Sequence, residues 1–279
     1  MIFKKGSIIG LLMEDVSPIE SVPQLSQGIS SGQIPIRTVE VTGMTNREFL
    51  ELYASPGRIG LSGGITLIDK AIARAERHVD AAKAWGSWSH AFLFQGKRHD
   101  GHHWVIESDL QVHRKHIQLG VQENRATKYH DEDLYSTLAV LDFGLSEKQV
   151  STLLCEALDL VANRARYSVR ELFGTMIALR DAKMRAERNP LARESSMYCS
   201  AFVQHLFRKA EIELAPGVHA KNTTPEDISR TPVPHVRYVL KREMTPHRIS
   251  QLRTKFKSQV RSRIDHLKQR VKKKKGLSA

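Results

Sequence analysis

SMYCSAFVQHLF, residues 196–207, is the stretch on which the reading of this chain turns. From Cys199 onward, Phe202, Val203, Leu206, Phe207 and Ala210 recur every three or four residues, the spacing of one buried helix face. Cys199 therefore opens a helix. At that position free N–H groups and the positive end of the helix dipole favour a thiolate. The competing reading makes Cys199 a small buried hydrophobe, the commoner fate of a lone cysteine. Its neighbour Tyr198 either lines a pocket or simply packs.

A thiol nucleophile needs an imidazole within reach and a third group to orient that imidazole. Upstream, HAFLF (90–94) and WVI (104–106) are short apolar runs joined by the polar loop GKRHDGHH (96–103), with Asp100-Gly101 as the turn. They predict a β-hairpin. His90 opens its first strand and Glu107 ends its second. Neighbouring strands lie about 4.8 Å apart, so the two side chains are expected to meet. Spacing alone does not select them among thirteen histidines. His102, His103, Asp109 and His205 remain rivals at this point.

The rest of the chain surrounds these pieces. TNREFLELYA (45–54) predicts a short helix with a Thr45–Glu48 capping box. RIGLSGG (58–64) reads as a strand and Thr66–Ala84 as a helix. Leu138–Phe143 is a further strand, and Ser146 starts a helix that runs to Asn163. Cys155 lies inside that helix beside apolar residues and reads as structural. TTPEDIS (223–229) is a capped turn, followed by the strand HVRYVL (235–240).

Composition sets outer limits. The 279 residues are 41% apolar and 26% charged, ordinary for a globular chain with one main core. No run approaches the roughly 20 apolar residues of a membrane-spanning helix. Lys4 and Lys5 precede an apolar run, Ile8–Met13, that is short for a signal peptide; a strand or short helix fits it better. Two cysteines make neither a disulfide framework nor a CxxC metal site, and no cofactor is expected. The net charge of +13 is concentrated in residues 245–279, which hold twelve Lys or Arg and one acid, Asp265. There Ile249, Leu252, Phe256, Val260, Ile264, Leu267 and Val271 form an apolar stripe on a basic helix. That stripe suits packing on the rest of the chain, or an anionic membrane surface or polyanion. Nucleic acid is disfavoured, because the tail shows no aromatic interleaving.

The order of the pieces resembles the circularly permuted NlpC/P60 (papain-like) superfamily, in the branch that includes the YiiX-like and YaeF-like bacterial proteins. The resemblance rests on PGRIGLSGG (56–64), WSHAFLF (88–94), HWVIESD (103–109) and SMYCSAFVQHLF (196–207), and covers roughly residues 55–230. It implies Cys199 as nucleophile, His90 as base and Glu107 as the residue orienting the histidine. It also implies an α+β papain-like fold, with a small antiparallel sheet packed on the nucleophile helix, and it places Tyr167 near the site beside Tyr198. The chain departs from the family pattern at Ala201, often Glu, and at Arg58, often Asp. The expected organisation is an N-terminal extension (1–44), a catalytic domain (45–240) and a basic helical tail (241–279).

The function expected from this resemblance is hydrolysis of an amide or ester through a thioester acyl-enzyme. Peptidoglycan stem peptides are the first substrate class, which makes the chain a bacterial amidase or endopeptidase; delivery as an antibacterial effector is compatible with it. Alternatives are a lipid- or acyl-directed thiol hydrolase or acyltransferase, and a non-catalytic module that binds through the basic tail. The expected compartment is the cytoplasm, or export without a classical signal.

Overall fold

A computed structural model describes residues 36–64, 67–76, 86–112, 117–163, 182–187 and 197–242. The basic tail, Tyr167 and most of the N-terminal extension lie outside the described residues.

Seven strands form one sheet, in the order β1-β7-β6-β2-β3-β4-β5. They are β1 (Arg37–Val41), β2 (Ile59–Gly64), β3 (His90–Lys97), β4 (His103–Val112), β5 (Ile117–Arg125), β6 (Tyr135–Asp142) and β7 (Val236–Leu240). Neighbours are antiparallel except β1 and β7, which run parallel. The chain is thus α+β, but the sheet is larger than the small antiparallel one expected. Strand β5 had not been anticipated, and β1 draws the end of the N-terminal extension into the sheet.

Strand alternation puts successive side chains on opposite faces, and each face has its own core. On one face, Ile59, Leu61, Ala91, Leu93, Ile106, Ala139 and Leu141 pack against α3 (Glu147–Ala162) and α5 (Cys199–Lys209). On the other, Phe92, Phe94, Val105, Leu138 and Val140 pack against α1 (Asn46–Tyr53) and the 3-10 turn Ala126–His130. Shorter helices are α2 (Leu67–Ala75), α4 (Ala182–Ala186) and α6 (Pro225–Ser229). Cys155, expected among apolar neighbours, is exposed on α3.

Glycine matters on β2, beside the Phe92 ring of the neighbouring strand. Gly60 of β2 pairs with Phe92 of β3, and a Cβ at residue 60 would lie 2.1 Å from the Phe92 ring. The missing side chain lets Phe92 lie over β2 and stack on Tyr129, ring centres 4.2 Å apart. No helix among the described residues is long and apolar enough to cross a membrane.

Candidate active site

His90 is the first residue of β3, and Glu107 lies within β4 rather than at its end. Leu93 pairs with Ile106. Continuing that register puts Glu107 opposite Phe92 and diagonal to His90, within reach of a long side chain. His90 Nε2 donates to Glu107 Oε2 at 2.6 Å. An ionised carboxylate only accepts, so this bond fixes the proton on Nε2 and leaves Nδ1 for another partner.

Cys199 is the other group that acts on this ring. Burial opposes charge on the His90 ring, but Cys199, by charge and by side-chain hydrogen bonding, outweighs it together with Glu107. The His90 pKa is therefore raised well above the usual histidine value. The His90 side chain is 15% exposed, and Cys199 as a whole 3%.

Glu107 is fully buried, and four donors hold it. Oε2 accepts from His90 and from the Tyr129 hydroxyl; Oε1 accepts from Asn124 Nδ2 and Lys128 Nζ, each at 2.7 Å. Burial alone would raise its pKa. The Lys128 charge and the His90 hydrogen bond overcome that and hold the carboxyl far below the ordinary range. Lys128 also reaches Asp109 Oδ2 at 2.6 Å. Burial works against the Lys128 ammonium too, but Glu107 and Asp109 hold its proton and raise its pKa.

The start of α5 differs from the starts of three other helices. Thr45, Ser146 and Thr224 each close a capping box over α1, α3 and α6. The N-cap of α5 is Tyr198, which makes no side-chain capping bond, and its first turn contains no acid. The N–H groups at Cys199 are left to face a charge developing at the sulfur or on an adjacent oxygen. Two further bonds seat this end of α5. Ser108 Oγ donates to the Met197 carbonyl at 2.6 Å, tying the approach to α5 onto β4, and Ser200 Oγ donates to the Thr223 carbonyl at 2.7 Å.

The structure thus brings together Cys199, His90 and Glu107 and sorts the rivals. His205, on the same helix as Cys199, pairs with Glu156 at 2.7 Å. His103 faces Glu51 at 3.5 Å. The backbone of His102 belongs to the hairpin turn and bonds Asp100, and Asp109 takes Lys128. Tyr198, expected either to line a pocket or to pack, is 1% exposed with its hydroxyl on the Thr223 carbonyl. Arg58, the departure near β2, pairs with Asp142 at 2.5 Å and takes no part in the triad. Sequence reasoning missed Asn124, Lys128 and Tyr129; polar residues in ENRATKYHDED (123–133) carry no spacing that singles them out. Among the described residues, no three His, Cys, Asp or Glu side chains converge to hold a metal ion.

No family model matches the chain, and no curated protein does so either. A solved structure described as metalloprotein yiiX from Escherichia coli is similar at 15% sequence identity with a TM-score of 0.42, over 69% of this chain and 99% of that one.

Proposed function

We propose that this chain is a cysteine hydrolase of permuted papain-like type that cleaves an amide or ester bond. The observation that carries this reading is the buried 2.6 Å hydrogen bond between His90 Nε2 and Glu107 Oε2, on a ring that also interacts with Cys199. A raised histidine pKa favours the imidazolium, the counter-ion a thiolate needs. The thiolate sulfur attacks the carbonyl carbon, and the oxyanion forms beside the N–H groups of the uncapped helix start. His90 gives its proton to the leaving amine or alcohol, and a thioester remains on Cys199. Water then gives one proton to His90 and its oxygen to the acyl carbon; collapse of that intermediate expels the Cys199 thiolate beside the His90 imidazolium and releases the acid.

Peptidoglycan stem peptides are the first substrate class by motif resemblance, and acyl esters the second. The decisive assay compares the wild type with Cys199→Ala and Cys155→Ala on muropeptides and on acyl esters. Cys199→Ala abolishes turnover, whereas Cys155→Ala, altering an exposed residue on α3, retains it. Full turnover by Cys199→Ala would refute the mechanism.

A further inference from the structure

The Thr223 carbonyl oxygen accepts two buried hydrogen bonds, one from Tyr198 Oη and one from Ser200 Oγ, both at 2.7 Å. The two donors are the residues immediately before and after Cys199. A carbonyl oxygen has two lone-pair directions, so both are used here by side chains flanking one thiol. The first turn of α5 is thereby tied to a fixed point outside its own helix.

The same segment reaches the histidine. Thr223 leads into α6, where Glu226 Oε2 accepts from the Ser87 N–H at 3.2 Å, three residues before His90. Glu226 is fixed in turn by Arg230 Nε at 2.6 Å. Behind Thr223, Asn222 Nδ2 donates to the carbonyls of Met184, Arg185 and Glu187, and Asp227 closes the capping box on Thr224. Every one of these groups limits how residues 223–226 move.

We infer that the segment Thr223–Glu226 is a positioning clamp, which sets the Cys199–His90 geometry through the Thr223 carbonyl on one side and the Glu226 carboxylate on the other. The inference rests on the reading of Cys199 and His90 as a reacting pair. It also assigns Tyr198 and Ser200 as positioning residues, not substrate contacts. A small displacement of a reacting group lowers rate far more than it lowers stability.

The test uses Tyr198→Phe and Ser200→Ala, alone and combined, since each removes one hydroxyl and leaves the surrounding packing in place. Cys199 thiolate is followed by its ultraviolet absorbance, and its alkylation by iodoacetamide with mass-spectrometric site mapping, from about pH 4 to about pH 9. Exposed Cys155 in the same molecule is the internal standard. The expected result is a fall of about tenfold in Cys199 alkylation for the double variant, a smaller fall for each single one, a thiolate titration moved toward higher pH, and no change at Cys155. A lower melting temperature with an unchanged Cys199 pH profile would overturn the clamp. His90→Ala separates this from failure of the catalytic reading. If His90→Ala leaves Cys199 alkylation unchanged, the reacting pair is wrong; if it slows Cys199 and the double variant does not, the clamp alone is wrong.

Discussion

Glu107 illustrates how little of a buried carboxylate's role depends on the residue alone. Fully buried, it would favour its neutral form, and only the charge of Lys128 and its hydrogen-bond donors keep it ionised. Lys128 therefore controls the histidine at second hand. Replacing it by methionine keeps the stem and removes the charge, so the Glu107 pKa rises and the His90 pKa falls. Histidine proton resonances in an NMR titration would register this as deprotonation of His90 at lower pH than in the wild type; an unmoved titration would show that Asn124 and Tyr129 suffice. The sign for stability follows. Because the folded His90 pKa lies above the ordinary histidine value of 6.5, its contribution is complete below that pH and is lost as pH rises through the folded value. Cys199, His90 and Glu107 were legible in sequence as a proposed set only through the order of four motifs. Lys128, Asn124 and Tyr129 were not, because a hydrogen bond across the sheet leaves no periodic trace.

At the scale of elements, local chemistry explains what could be read. The helices beginning after Thr45 and Ser146 announce themselves by cap residues and apolar spacing, and the hairpin by Asp100-Gly101 between two apolar runs. Strand β5 was overlooked although Ile117, Leu119 and Val121 alternate, because Gly120 and the polar stretch beyond Gln122 weaken the pattern. Strand β1, with Val39 and Val41 in a polar context, owes its existence to a partner 199 positions away, which no local rule reports. Gly60 shows the same dependence on long-range contact. Its Cβ position is occupied by the Phe92 ring, which supports Tyr129 against Glu107. Gly60→Ala forces that ring aside at a cost of about 1–3 kcal/mol, the usual penalty of overpacking. Denaturant unfolding would measure the loss. Ring displacement would also disturb Tyr129, so Cys199 alkylation should slow in the same variant. A stability loss with unchanged reactivity would separate this packing chain from the site.

Across the whole molecule, one group works against stability. Glu76 is completely buried; one carboxylate oxygen accepts from the Glu226 N–H at 3.1 Å and the other has no hydrogen-bond partner among the described residues. Burial above all, and then the charges of Glu226, Asp227 and Cys199, raise its pKa well above the ordinary glutamate value of 4.5. The unfolded chain ionises Glu76 as pH passes that value while the folded chain holds the proton, so stability falls with rising pH. Glu76→Gln keeps the acceptor and removes the proton dependence. Its melting temperature should exceed that of the wild type by a margin that grows with pH above about 4.5, the ordinary ionisation range of glutamate; a margin independent of pH would mean that Glu76 is not neutral in the folded state. The parallel pairing of β1 with β7 has another effect, on synthesis. Among the described strands β1 lies at the sheet edge with β7 as its one neighbour, and β7 is the last of them to be made. A ribosome that has already released Arg37–Val41 must add nearly two hundred residues before that strand finds its place. Throughout this interval β1 has open backbone donors and acceptors, a target for chaperones and for mispairing between nascent chains.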